Sequence, residues 1–473
     1  MELFVGRQTE LQQLQQLMTR KSSSFVAVYG RRRVGKTFLI RNSFKKFTFQ
    51  ATGIANVNTK TQLTNFCLEL KKYAVIPASH PIASNWLEAF DQLKNLLEKS
   101  KDEKKIVFLD ELPWMDTARA GFLPALEHFW NGWASARTDI ILIVCGSATT
   151  WIIDKVLNNH GGLHNRVTDR IQLFPFTLKE CEEYFRQRSA LFDHYQLTQL
   201  YMVMGGIPFY LSQIDPGESA AQNIDRLCFS NSGILRHEFD NLYRSLFQHA
   251  ENHMAIIEAL SKNGKGLTRD EIINLTKLTN GGTLSKILKE LEQSHFIRKY
   301  RYFGNKEKNS LYQLIDFYSL FYLRWIKDST THPSGYWLNR LNSPTINTWE
   351  GIAFEKVCLE HVSQIAKALG IEGITTHVSA WSGSFEDEGA QIDLLIDRAD
   401  RVINLCEMKF SNDVYTINKR YSDELKRKIR VFQGSTKTKK ALQLILITTY
   451  GVVRNNYSDT LVGKQLTMEI LFN

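Results

Sequence analysis

Phe25–Thr37 reads FVAVYGRRRVGKT. Phe25 to Tyr29 is an apolar run rich in β-branched and aromatic residues, the pattern of a buried strand. Gly30 to Thr37 fits G-x-x-x-x-G-K-[ST], and FLIRNSF continues with helical spacing. Strand, loop and helix in that order form the context a phosphate-binding loop needs. Its backbone N–H groups, from Gly30 through Arg31, Arg32, Arg33, Val34 and Gly35 to Phe38, are expected to surround a β-phosphate. The helix dipole there also favours an anion. Gly30 and Gly35 allow backbone angles and a close approach that a Cβ would block. Lys36 is expected to reach the β- and γ-phosphates, and the Thr37 hydroxyl to ligate Mg²⁺. The stretch therefore predicts a nucleoside triphosphate site.

The second informative stretch, KKIVFLDELPWMD, puts a short apolar strand, Ile106–Leu109, before Asp110 and Glu111. A carboxylate at the C-terminal end of a parallel strand sits beside the phosphate loop. Asp110 can hold Mg²⁺, and Glu111 can orient or deprotonate the attacking water. Ile140–Cys145 is another apolar strand and delivers Gly146-Ser147-Ala148-Thr149. Ser147 is the candidate γ-phosphate sensor, with helix N-capping an equally good account. Arg166 and Arg170 precede a last strand expected at Ile171–Phe174, and Arg166 is the candidate that reaches the transferring phosphate, in cis or from a neighbouring subunit. Upstream, Phe4-Val5-Gly6-Arg7 leads into a Leu-spaced helix. Downstream, Met204-Gly205-Gly206-Ile207-Pro208 reads as a tight turn.

These stretches, FVGR, GRRRVGKT, VFLDELPWMD, CGSAT and GGIPFYL, resemble in content and order the archaeal-type ATPases of the STAND branch of AAA+-like P-loop NTPases. The resemblance covers about the first 240 residues. It implies an α/β fold with a five-stranded parallel sheet and a small helical subdomain, and ATP as the nucleotide. It also implies Gly6 and Arg7 flanking the adenine, and Gly206 and Pro208 in the turn closing over the nucleotide. At Arg166 the family often has Gly-Arg, whereas an Asn precedes it here.

From Met254 the pattern changes to three short helices followed by an alternating strand–turn–strand, a winged-helix order with Thr283–Leu291 in the recognition-helix position. Between Ser261 and Lys308 there are eleven Lys/Arg against five Asp/Glu, a net of +6. Lys286, Lys289, Arg298, Lys299, Arg301, Lys306 and Lys308 lie on the third helix or the wing, a face suited to backbone phosphates. A rigid spacer or protein dock is the competing account. Asp316–Trp325 is an aromatic helix expected in the core, and Asp328–Pro344, rich in Ser, Thr, Asn, Pro and Gly, reads as a linker.

The C-terminal segment places Glu355 on an amphipathic helix, Asp393 at the start of QIDLLIDR, and Glu407 and Lys409 as E-x-K in VINLCEMKF. With period two, Glu407 and Lys409 share a face. Glu355, Asp393 and Glu407 are the expected ligands of one or two Mg²⁺ ions acting on a phosphodiester, with Lys409 positioning water or offsetting charge. Helix, aspartate strand and E-x-K strand resemble the PD-(D/E)xK core of restriction-endonuclease-like nucleases, although Ile392 replaces the proline before the aspartate.

The 473 residues carry a net charge of +10, which suits an anionic partner. The six scattered cysteines form no C-x-x-C pair, the N-terminus lacks the regions of a signal peptide, and no apolar run approaches the ~18 residues of a membrane span. Together these point to a cytoplasmic protein. The expected organisation is a P-loop core over 1–175, a helical subdomain over 176–245, a winged helix over 246–327, a linker over 328–345 and a nuclease-like α/β domain over 346–473. The leading expectation is an Mg²⁺-dependent ATPase switch that governs a DNA endonuclease acting on double-stranded DNA. The alternatives are a nucleotide-gated DNA-binding or scaffold protein without cleavage, and a signalling ATPase with a protein partner. A homo-oligomer is left open.

Overall fold

The computed structural model describes residues 4–74, 81–158, 161–304, 310–328 and 333–473. It divides into two compact units, Met1–Phe174 and Pro175–Asn473.

The first unit opens with α1 (Gln8–Gln16) and builds a parallel sheet from β1 (Ser24–Tyr29), β2 (Phe49–Thr52), β3 (Lys105–Asp110), β4 (Ile140–Gly146) and β5 (Asp169–Gln172), in the order β2-β3-β4-β1-β5. β1, β3 and β4 are buried along their whole length, as expected of parallel strands covered on both faces. Helix α2 (Lys36–Ser43) follows the loop. The crossover helices α3 (Thr59–Ala74), α4 (Trp86–Lys99) and α5 (Phe122–Gly132) pack an aromatic core in which Trp86 meets Phe122 at 4.8 Å and Phe66 at 5.4 Å. Asn85 caps α4 by accepting from the Glu88 N–H. The last strand begins two residues before its expected start. Its register is set by pairing with Val26–Tyr29, and Phe174 is left exposed.

The second unit begins with α6 (Leu178–Gln187), held by a Thr177–Glu180 capping box, and α7 (His194–Met204). Then come α8 (Ala250–Ser261), β6 (Leu267–Thr268), α9 (Arg269–Thr276), α10 (Gly282–Gln293), β7 (Ile297–Tyr300) and β8 (Leu311–Leu314), with sheet order β6-β8-β7. Lys306 and Lys308 lie outside the described residues. Aromatic helix α11 (Phe317–Trp325) is core. The segment read as a linker is partly core too: Trp337 is 2% exposed and its ring packs on Phe321, Trp325 and Trp349. Helix α12 (Pro344–Glu360) precedes a mixed sheet of β9 (Thr376–Phe385), β10 (Glu388–Arg398), β11 (Val402–Lys409), β12 (Ala441–Thr448) and β13 (Lys464–Thr467), ordered β13-β12-β11-β10-β9. β9, β10 and β11 are antiparallel. Helix α13 (Lys419–Thr436) links β11 to β12, which runs parallel to it.

His361, at the end of α12, is buried. Its Nε2 accepts from the Leu178 N–H at 3.2 Å while its Nδ1 lies 2.8 Å from the Val357 carbonyl, which fixes the Nδ1–H tautomer. Burial lowers its pKa against the opposing pull of that carbonyl and of Glu360. The unfolded chain therefore takes up the proton first as pH falls. Stability is complete above the ordinary histidine value of about 6.5 and is lost as pH drops through the lower folded value. Between pH 7.5 and 5.5 the melting temperature of the wild type is expected to fall further than that of His361→Gln. Parallel curves by differential scanning calorimetry would refute it.

Candidate functional site

At the end of β1 the backbone turns through Gly30 (φ 144°), Arg33 (φ 72°) and Gly35 (φ 90°) into α2. The two glycines are needed for different reasons. A Cβ on Gly30 would lie 2.3 Å from the Leu173 carbonyl oxygen. One on Gly35 would touch nothing, so there only the left-handed backbone demands glycine. Val34 and Arg31 are buried, Arg32 is exposed, and Phe38 stacks on Phe4 at 6.0 Å.

Lys36 is buried, and its Nζ donates to the Gly30 and Arg31 carbonyls, both at 2.8 Å. Burial pushes its pKa down, with Cys145, Glu111 and Asp110 pulling the other way. Thr37 Oγ1 donates to Asp110 Oδ2 at 2.9 Å, so the two expected Mg²⁺ ligands are already side by side. Asp110 Oδ1 accepts from the Glu111 N–H at 3.0 Å. Glu111 itself holds a left-handed backbone (φ 47°), unusual for a side chain with a Cβ. Its Oε2 accepts from both the N–H (3.1 Å) and the Oγ (2.9 Å) of Ser147. Ser147 thus grips the carboxylate expected to orient water, and the short helix after it receives no side-chain cap.

A hydroxyl and a carboxylate oxygen in contact are a hard-oxygen pair suited to Mg²⁺, and an ammonium parked on loop carbonyls is a charge that phosphate oxygens can claim. The residues fit a magnesium nucleotide.

Gly6 (φ 65°) and Arg7 (φ 56°) form the turn before α1, and Arg7 Nη2 donates to the Phe174 carbonyl. Arg166 is exposed. Gly206 and Pro208 belong to the second unit. A Cβ on Gly206 would lie 2.1 Å from the Phe176 carbonyl oxygen, so close packing accounts for the glycine, and Pro208 opens the short helix Pro208–Leu211.

In the second unit Leu394 of β10 pairs with Cys406 of β11, and Asp393 and Glu407 are the residues next to that pair on the two strands. Glu355 feels both. Burial and then Asp393 push its carboxyl up to about 8. The next residue, Lys356, is pushed down to about 8 by burial and then by Arg298. The expected three-carboxylate metal shell at Glu355, Asp393 and Glu407 is not assembled: among the described residues no three His, Cys, Asp or Glu group to hold an ion. Lys428 Nζ lies 2.7 Å from Glu407 Oε1, and the Tyr421 hydroxyl donates to Glu407 Oε2 at 3.3 Å. Gln391 Nε2 donates to Asp393, and Lys409 Nζ sits 4.8 Å from the Tyr421 ring centre. As arranged, Lys428 and Tyr421 engage the two carboxylate oxygens of Glu407. Sequence reasoning missed Lys428, although the Tyr421 to Lys428 spacing of seven puts both on one helix face.

Fold and loop together give a parallel α/β sheet whose first strand-to-helix loop has the geometry of a phosphate-binding loop. Residues 4–214 match the family model described as an ATPase domain predominantly from Archaea. The chain is 24% identical over 422 residues to the uncharacterized protein MJECL04 of Methanocaldococcus jannaschii, covering 87% of this chain and 88% of that one. Among solved structures it is similar to the Walker-type ATPase of Pyrococcus abyssi (16% identity, 68% of this chain and 96% of that chain, TM-score 0.49). It is also similar to the ORC2 protein of Aeropyrum pernix (16% identity, 69% and 94%, TM-score 0.41). Among the described residues no helix is long and apolar enough to cross a membrane.

Proposed function

We propose that the chain is an ATP-hydrolysing switch whose second unit binds DNA. The Thr37–Asp110 contact, beside a buried Lys36, carries the nucleotide half. Thr37 and Asp110 would hold Mg²⁺, which offsets charge on the β- and γ-phosphate oxygens. Lys36 exchanges two loop carbonyls for phosphate oxygens. Glu111, once off Ser147, orients the attacking water, and Arg166 is the candidate arginine for the developing charge. Phosphate release from ATP with Mg²⁺ is the test, and no turnover above a protein-free control would sink this half.

The DNA half is supported by the basic residues of α10 and β7, which belong to a run of three helices followed by a hairpin. It predicts binding that weakens steeply with salt. The Lys428–Glu407 ion pair favours binding without cleavage. Supercoiled plasmid is therefore expected to remain uncut with Mg²⁺ or Mn²⁺, with or without ATP. The endonuclease reading keeps one observation in its favour, the position of Asp393 and Glu407 next to the Leu394–Cys406 pair of adjacent strands. Nicking that disappears in Asp393→Ala would establish it instead.

A further inference from the structure

Within the second unit a groove of about 900 Å³ lies over Glu355, Lys356 and Asp393. One wall is the turn after α8, with exposed Lys262 and Lys265, and the hairpin residues Arg298, Tyr300 and Tyr302. The other is β10 with Arg427 and Lys428 of α13. The walls are tied together. Tyr302 forms a bridge with Ala380 on edge strand β9, the Phe303 N–H donates to the Ala380 carbonyl at 2.8 Å, and the Phe303 ring packs on Phe432 at 5.4 Å. The hairpin thus joins the edge of the mixed sheet at Ala380 and links the two walls of the groove.

Its chemistry is aromatic and basic. The Tyr300 and Tyr302 rings, both half-buried, meet edge to face at 6.0 Å, and the Arg298 guanidinium lies 5.5 Å from the Tyr300 ring centre. Burial keeps both phenols protonated, and the charge of Asp393 pushes the same way. Six lysines and arginines line the groove against three carboxylates, Glu355, Asp393 and Glu424. Half-buried rings beside a basic rim offer stacking faces and phosphate contacts at once. Bases inside a duplex are already stacked on each other and reach such rings only by being extruded, at a cost of a few kcal/mol. A pocket of this size admits a few unpaired nucleotides rather than the cross-section of a duplex.

We propose that this groove binds single-stranded DNA, with bases stacked on Tyr300 and Tyr302 and phosphates held by Lys262, Lys265 and Arg427. The proposal rests on the DNA-binding reading and names the strand form and the surface. It is tested on the full chain by fluorescence anisotropy at low salt, with labelled oligothymidine, a duplex of the same length and oligouridine. Oligothymidine is expected to bind about tenfold tighter than the duplex. Tyr302→Ala is expected to weaken it by about tenfold or more, and Tyr302→Phe, which keeps the ring, to leave it unchanged. Lys262→Gln with Lys265→Gln, both exposed, is expected to weaken binding and lower its salt slope by about two charges. Duplex binding as tight as oligothymidine, or an unaffected Tyr302→Ala, overturns the groove. So does equal binding of oligouridine, which would remove the assignment to DNA. Binding lost in Lys286→Gln with Lys289→Gln, but kept in the groove variants, also overturns the groove and leaves DNA binding through α10 standing. No binding of any probe removes both readings.

Discussion

Lys36→Ala is expected to abolish ATP hydrolysis and to weaken nucleotide binding together. The ammonium is buried and donates to the Gly30 and Arg31 carbonyls of the loop itself. Those carbonyls are uncharged acceptors, so moving the ammonium onto phosphate oxygens replaces neutral partners with charge-assisted ones of roughly twice the strength. Alanine removes that gain and leaves the phosphate charge unmatched. Loss of one preorganised charge-stabilising donor costs about 10²–10³ in rate, and turnover should fall by at least that much. Binding is read separately by thermal shift. At ATP about 100-fold above Kd, the wild type gains about 2.7 kcal/mol, some 5–10 °C for a unit of this size, and the variant should gain almost nothing. Because burial already pushes the lysine pKa down, the variant without ATP should be no less stable than wild type. An unchanged ATP-dependent shift in Lys36→Ala would remove this loop as the nucleotide site.

The nucleotide half was legible because its chemistry is local in sequence. Gly30 to Thr37 is one turn of chain, and Asp110 and Glu111 end a strand whose apolar run marks its position in a parallel sheet. What sequence could not deliver were the partners across space. Ser147 was visible as a polar residue at a strand end, but that its hydroxyl is directed to Glu111 depends on β3 and β4 being adjacent. Glu407 and Lys409 read correctly as one face of a strand, yet Lys428 reaches Glu407 from a helix 21 residues on. Composition hid Trp337 within a polar stretch, and its burial comes from aromatic neighbours on α11 and α12. Period-two and period-3.6 patterns report which face a residue takes. They do not report which helix covers that face.

Glu111→Gln is expected to separate binding from chemistry. A glutamine keeps the volume and an acceptor oxygen for the Ser147 N–H and hydroxyl, so the left-handed turn at residue 111 should survive. Nucleotide binding, read by the same thermal shift, should be close to wild type, since Lys36, Thr37 and Asp110 are untouched. Hydrolysis should fall by about 10² or more, because an amide can neither accept the water's proton nor complete its orientation. Ser147→Ala tests the other partner. It removes the hydroxyl bond but leaves the N–H bond, a net loss of about 1 kcal/mol from the withdrawn state of Glu111. Basal turnover should therefore rise by a few fold, with ATP affinity unchanged. The pair of results is diagnostic. A γ-phosphate sensor at Ser147 predicts slower turnover and weaker ATP binding in Ser147→Ala, whereas a restraint on Glu111 predicts the opposite sign. A Ser147→Ala,Glu111→Gln double variant should turn over no faster than Glu111→Gln alone, because the serine acts only through the carboxylate it holds.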